Sequence, residues 1–316
     1  MEEQSSFIKR IKQIFYASTK SLQYLLTHKK LLFFPVFTFS LIILFASCID
    51  TVNYKTFGSH IFLPTKKTES QSEKSIPHKA RRRGIPFEIL LLMLISIIAS
   101  YFSNVALSFA LTPVFKGEKA RIMQSILYIL LQTFTIVCTA FLILFVGIFS
   151  KIFSRKDEAE DAPKRNWFQK KFNMSGDFGW SIATFLVVPI IAHEKHTIIN
   201  NIKRSSELIE ATFGHNFKNY VSVNVVTDLC IAGLAIIAAL IFGIALIINQ
   251  IFHNPIIIDI GGYIVISIIV LSCIIGCFLS SATTVFKTAA YHYATGNLIG
   301  PFSEHEIREV IVEEKK

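Results

Sequence analysis

The feature that most constrains this chain is a series of six apolar segments, at 31–49, 87–111, 125–149, 178–193, 221–249 and 259–286. A helix needs about 20 apolar residues to cross the roughly 30 Å hydrocarbon core of a bilayer. Four segments pass that test easily, and 31–49 is borderline. At 1.5 Å per residue, 178–193 rises only about 24 Å, enough for a short span or for a re-entrant hairpin bent at Pro189. Charged residues make up 17% of the 316. Soluble domains carry about 25%, so this chain lacks the polar surface to coat a water-facing globule. The expected fold is therefore an all-α membrane protein, one polytopic domain over residues 1–316.

Polar residues crowd into the connections. Residues 1–30 form a charged lead-in that reads as an uncleaved anchor, and 287–316 form a tail. The loops 50–86, with Arg81-Arg82-Arg83, and 150–177, with Asp157–Asp161 among lysines and arginines, read as solvated surface. Within the lead-in, Phe7, Ile11, Ile14, Leu22 and Leu25 share one helical face while Lys9, Arg10, Lys12 and Lys20 hold the other. That pattern predicts an amphipathic helix over about 7–27 lying in the membrane interface. A second is predicted at about 196–217, with Ile198, Ile202, Ile209, Phe213 and Phe217 along its apolar face. The formal charge of +10 suits anionic lipid head groups as the partner. Nucleic acid fits poorly, because no basic stretch is interleaved with stacking aromatics.

Orientation depends on where the Lys and Arg fall. Six spans with a cytoplasmic N-terminus place 17 of them inside and 15 outside, which decides nothing. With 31–49 and 178–193 re-entrant and four spans crossing, the count becomes 29 against 3. An internal similarity pulls the other way. Ile8-Lys9-Arg10 and Ile202-Lys203-Arg204 each sit in an amphipathic helix leading into a pair of apolar segments, and the pairs end in Thr112-Pro-Val-Phe-Lys116 and Thr283-Thr-Val-Phe-Lys287. Parallel repeats are a known membrane-protein device. They would place both Val-Phe-Lys ends on one side, which requires 31–49 to cross and favours six spans. Both topologies put the two termini and the helix at 196–217 in the cytoplasm.

No catalytic, cofactor or metal motif survives inspection. His193-Glu194-Lys195-His196 has its histidines three apart, whereas zinc proteases need H-E-x-x-H and a third ligand. The five cysteines lie in or beside apolar segments without zinc-ligand spacing.

Intramembrane polar residues are the better lead, because burying them in lipid is costly. Ser96, Ser100, Ser103, Asn104 and Ser108 fall near one face of 87–111; Gln132, Thr135 and Thr139 do the same in 125–149; Asn224 and Asp228 lie one turn apart in 221–249. With six spans, Asn104, Gln132 and Asp228 each sit about 10 Å from the cytoplasmic end. One reading is a polar vestibule for a small solute or ion, as in a permease or channel. The other is interhelical hydrogen bonding that glues the bundle. Ser272, Gly276 and Ser280, at intervals of four, let helix backbones approach closely, for an internal neighbour or a second copy in a homo-oligomer.

Three stretches carry a resemblance: His28-Lys29-Lys30-Leu31-Leu32-Phe33-Phe34-Pro35; Trp180-Ser181-Ile182-Ala183-Thr184-Phe185-Leu186-Val187-Val188-Pro189 followed by Ile202-Lys203-Arg204-Ser205-Ser206-Glu207-Leu208 and Thr212-Phe213-Gly214; and Val285-Phe286-Lys287-Thr288-Ala289-Ala290-Tyr291-His292-Tyr293-Ala294-Thr295-Gly296 with Pro301-Phe302. Together they resemble a family of uncharacterised bacterial multi-pass membrane proteins. The resemblance implies a six-helix plan in a bacterial cytoplasmic membrane and carries over no functional residues. Gly214 and Gly296 read as helix C-caps. The expected role is non-enzymatic: structural, lipid-binding or partner-binding.

Overall fold

The structure, a computed structural model, describes residues 2–45, 47, 87–154, 184–213, 225–252 and 255–311. The loop 50–86, most of 150–177, Trp180–Ala183, Gly214, Phe217, Asn224 and Cys48 lie outside these residues. Among the described residues there are helices and no strand. In chain order we number α1 (Glu2–Thr27), α2 (33–45), α3 (Phe87–Phe115), α4 (Ile122–Leu131), α5 (Thr133–Ser154), α6 (Val187–His193), α7 (Ile198–Phe213), α8 (Val225–Phe252), α9 (Pro255–Ala294) and α10 (Glu304–Ile311).

Three stretches, Leu94–Phe115, Thr227–Ile248 and Ile260–Ala294, are long and apolar enough to cross a membrane. Two further stretches qualify only as bent pairs: Ile11–Thr27 with Lys29–Phe45, turned by 103°, and Ile122–Leu131 with Thr133–Leu142, turned by 70°. The apolar segment 125–149 is thus divided between two helices. The break falls at Gln132, whose N–H is shared between the Tyr128 and Ile129 carbonyls, both at 3.1 Å. Thr133 adds to it, since its hydroxyl donates back to the Leu130 carbonyl at 2.8 Å, competing with the helix ladder.

Among the described residues of the segment 178–193, a helix of seven residues runs from Val187 to His193. Val187 to Ala192 are all buried, so α6 is apolar on every side, as a helix enclosed by others must be. Pro189 stands in its first turn, where a missing N–H leaves no helical bond unmade.

Side-chain pairs fix the relative directions of the helices. Between α3 and α9 the partners are Asn104 with Ser280, Ser108 with Thr288, and Thr112 with His292. Both numbers rise together, so the two helices are parallel. Between the α6 stretch and α9, Phe185 faces Phe286 and His193 faces His292, again in parallel. For α8 and α9 the order reverses: Gly261 lies against Ala245 and Gly276 against Ile231, as in a hairpin.

α3 and α9 also end alike. Glu118 N–H donates to Pro113 and Gly117 N–H to Val114; Asn297 N–H donates to His292 and Gly296 N–H to Tyr293. Both are Schellman closures with a left-handed glycine at φ +80°. The parallel helices α3, α6 and α9 therefore finish at one level, around a core of Leu107, Leu111, Leu186, Ile190, Ile191 and Phe286. α9 runs on past the expected membrane segment to Ala294, taking the first part of the tail into the fold.

α1 buries Ile14, Ala17, Ser18, Ser21 and Leu25, a face at helical spacing that packs on α9. The adjoining flank is apolar but open: Phe15 is 52% and Leu26 50% exposed. α10 closes over α1. Its first turn is a capping box, in which Ser303 N–H donates to Glu306 at 2.7 Å and Glu306 N–H to the Ser303 hydroxyl at 3.3 Å.

Candidate functional site

The common end of α3, α6 and α9 gathers a cluster of polar side chains. At its centre is Thr112, one turn before the α3 cap. Its Oγ1 lies 3.1 Å from His193 Nε2 and 2.9 Å from His292 Nε2. A hydroxyl holds one proton and two lone pairs, so it can donate to one imidazole while accepting from the other. One side chain thereby ties the last residue of α6 and the last turn of α9 to α3. The site is enclosed by rings: His193 stacks between Tyr291 at 5.4 Å and Phe109 at 6.3 Å, and Phe115 meets His292 edge-on. Tyr128 stacks on Phe109 and donates its hydroxyl to the Ile191 carbonyl at 3.0 Å, adding α4 to the wall.

A charged tier surrounds this neutral centre. Glu194 accepts from the Tyr291 hydroxyl at 3.0 Å through one carboxylate oxygen. Its other oxygen meets His196 Nε2 at 2.7 Å and Arg204 Nε at 3.2 Å. Arg204 comes from α7, so the tier joins that helix to α9. His193 and His196 thus turn to different partners, Thr112 and Glu194. Among the described residues no group of three or more His, Cys, Asp or Glu is placed to hold a metal ion.

Of the polar layer, Asn104 donates to the Ser280 hydroxyl at 2.9 Å and reaches Ser100 at 3.5 Å. The structure therefore joins the layer to the small-residue stripe on α9. In that stripe, Gly276 faces Ile231 of α8, and the Ser272 hydroxyl returns to its own helix at the Ile268 carbonyl. Ser103 donates to the Phe34 carbonyl of α2 at 2.8 Å, and Ser108 pairs with Thr288 at 2.9 Å. Gln132 stands at the α4–α5 break and Asp228 is exposed in the first turn of α8. No hydrogen bond joins Asn104, Gln132 and Asp228 among the described residues.

Thr112 and His292 enter the sequence patterns only as members of terminal motifs. Their meeting with His193 could have been sought from the repeat, because parallel Val-Phe-Lys segments bring the ends of α3 and α9 together. The repeat aligns Thr112 with Thr283, however, and not with His292, so the correspondence between the two partners is masked.

Residues 85–300 match the model of a family of unknown function, DUF6159. The chain belongs to that family. The DUF6159 match takes in α3 to α9 with the whole Thr112 cluster, and leaves α1, α2 and α10 outside it. No curated protein and no solved structure matches the chain.

Proposed function

We propose that this DUF6159 protein is a six-helix integral protein of a bacterial cytoplasmic membrane, with a structural, lipid-binding or partner-binding role and no catalytic one. In this reading both termini and α7 are cytoplasmic. The observation that carries the topology is the parallel run of α3, α6 and α9. These are the second, fourth and sixth apolar segments, and in a six-span chain alternate spans point the same way. The four-span arrangement with two re-entrant segments would run α3 and α9 in opposite directions.

A scaffold role draws support from the fate of the intramembrane polar groups. Asn104, Ser103 and Ser108 each reach a neighbouring helix, the use expected of polar side chains that hold helices together in lipid. Lipid binding draws support from α1. Its open apolar flank, with Phe15 and Leu26, is continued beyond the bend by exposed Phe33 and Phe37, while Lys9, Lys12, Lys29 and Lys30 are exposed beside it. A helix bent by 103° from the next, apolar on two adjoining sides and basic on the third, suits an interface rich in anionic head groups. By contrast, α7 turns Ile202, Leu208, Ile209 and Phe213 inward and leaves Lys203 and Glu207 outside.

The alternative is a permease or channel, and it rests on Asp228, the one carboxylate of the proposed layer. Single-cysteine labelling separates the topologies. In the six-span reading, Arg82→Cys is modified from outside intact cells and His305→Cys only after permeabilisation. Protection of Arg82→Cys from outside would overturn the six-span arrangement. Reconstituted protein that carried a solute flux lost in Asp228→Asn would replace the scaffold role with transport.

A further inference from the structure

The Thr112 centre has a property that goes beyond holding helices together. Its bonds can be satisfied in only a few proton arrangements. With both imidazoles neutral, the Thr112 proton goes to one Nε2 and the other Nε2–H points at the Thr112 oxygen, so α9, α3 and α6 form one hydrogen-bonded chain. A third proton changes the count. Both Nε2 atoms then become donors, and Thr112 must accept from both while turning its own proton elsewhere. The Ser108 carbonyl, four residues earlier in α3, is the acceptor at hand for a threonine hydroxyl that turns back on its own helix.

The surroundings give the added charge little to meet. From α3, Lys116 faces both imidazoles with a like charge. From α9, His292 and Tyr291 face His193 with their ring centroids 5.3 and 5.4 Å away. From α4, Tyr128 keeps its hydroxyl on the Ile191 carbonyl. Among the described residues the acid nearby is Glu194, which already accepts from Tyr291, His196 and Arg204. An imidazolium walled by rings, beside a carboxylate that already has three partners, is far better accommodated in water. His193 is the last residue of a seven-residue helix and is followed by an extended Glu194, so it has a short route outward.

We propose that Thr112, His193 and His292 form a proton-responsive latch: with both imidazoles neutral it holds the end of α6 against α3 and α9, and on taking up a proton it releases that end toward water. The element that moves is the α6–α7 corner. Leu186 N–H donates to Ser205 at 3.1 Å, which keeps the two helices together as the contact with Thr112 opens.

The test is amide hydrogen exchange of the full chain in phosphatidylglycerol–phosphatidylcholine nanodiscs, read at 187–193. Measured at about pH 8 and about pH 4.5, either side of the ordinary imidazole range, rates are corrected for the intrinsic pH dependence. Wild type should lose protection about tenfold or more at the acidic pH, the change expected when one unit of proton affinity separates the two states. His193→Gln with His292→Gln keeps amide groups for the bonds and removes the titration, so its protection should be the same at both. Equal protection of wild type at the two pH values would overturn the latch. So would a parallel acid loss in the glutamine variant. Should the double variant fail to hold α6 at pH 8, the single substitutions are read instead, and an undiminished acid response in both overturns it too.

Discussion

Ser108 and Thr288 face each other across the α3–α9 seam with their hydroxyls 2.9 Å apart, and neither residue is reached by solvent. Thr288 also donates to the Thr284 carbonyl at 2.8 Å, so the Ser108 proton is the one available to the pair. Ser108→Ala should destabilise the protein by about 1 kcal/mol, between the smaller values typical of interhelical bonds in lipid and the penalty of an unsatisfied buried group. The check is a double-mutant cycle with Thr288→Val in detergent unfolding. The double variant should lose less than the sum of the singles, and strict additivity would deny the pair any coupling.

Glu306 makes the C-terminal helix pH-dependent. Burial by itself would raise its pKa, but Lys20, the Ser303 N–H, the Tyr16 hydroxyl and the Ser303 hydroxyl together hold it at about 2. A carboxyl depressed below its ordinary value contributes stability above the unfolded-state pKa and loses it as pH falls through the folded one. Docking of α10 on α1 should therefore be unchanged from neutral pH to about 5 and weaken from there toward 2. Glu306→Gln should show weak docking at every pH, read as hydrogen exchange over 304–311. Retention of full protection in that variant would dismiss the ion pair as the clasp.

The left-handed glycines at the ends of α3 and α9 predict a matched pair of defects. Gly117→Ala and Gly296→Ala have open space for the new methyl group, so the cost is conformational alone. Each should lower stability by about 1–2 kcal/mol, the penalty for an L-residue in that region. Thermal unfolding measures it, and a substitution without effect would mean that the caps do not hold the helix ends.

Substitution should cost stability at Asn104 and leave it nearly unchanged at Asp228. Asn104 links α3 to α9, so Asn104→Leu should reduce the unfolding temperature and protein abundance while leaving Ser280 without its partner. Asp228 is exposed, and Asp228→Asn should alter stability by less than about 0.5 kcal/mol. A large stability loss on neutralising Asp228 would place it in an interior contact that the scaffold reading does not contain.

Much of the fold was legible from local pattern. The apolar runs at 87–111, 221–249 and 259–286 became α3, α8 and α9, and the amphipathic periodicities became α1 and α7. The break at Gln132 was not legible, because apolar composition continues across it and a threonine's back-bond to the ladder leaves no mark in hydropathy. The Thr112 cluster was half legible. His193 stood out as part of a failed metal motif, but its partners are 81 and 99 positions away, on helices whose direction decides whether they meet.

The chain's sequence by itself determined that it is built of apolar helices and that its first helix has two chemically different sides. Both arise from interactions within a few residues, namely the demand of every backbone group for a partner and the periodicity of a single helix. Only the tertiary structure decided that α3, α6 and α9 run together and end on one threonine hydroxyl, and that Asn104 meets Ser280 instead of Gln132 or Asp228. Those choices belong to contacts between segments far apart in the chain, where the free energy depends on which faces are brought together and a local pattern leaves several pairings equally good.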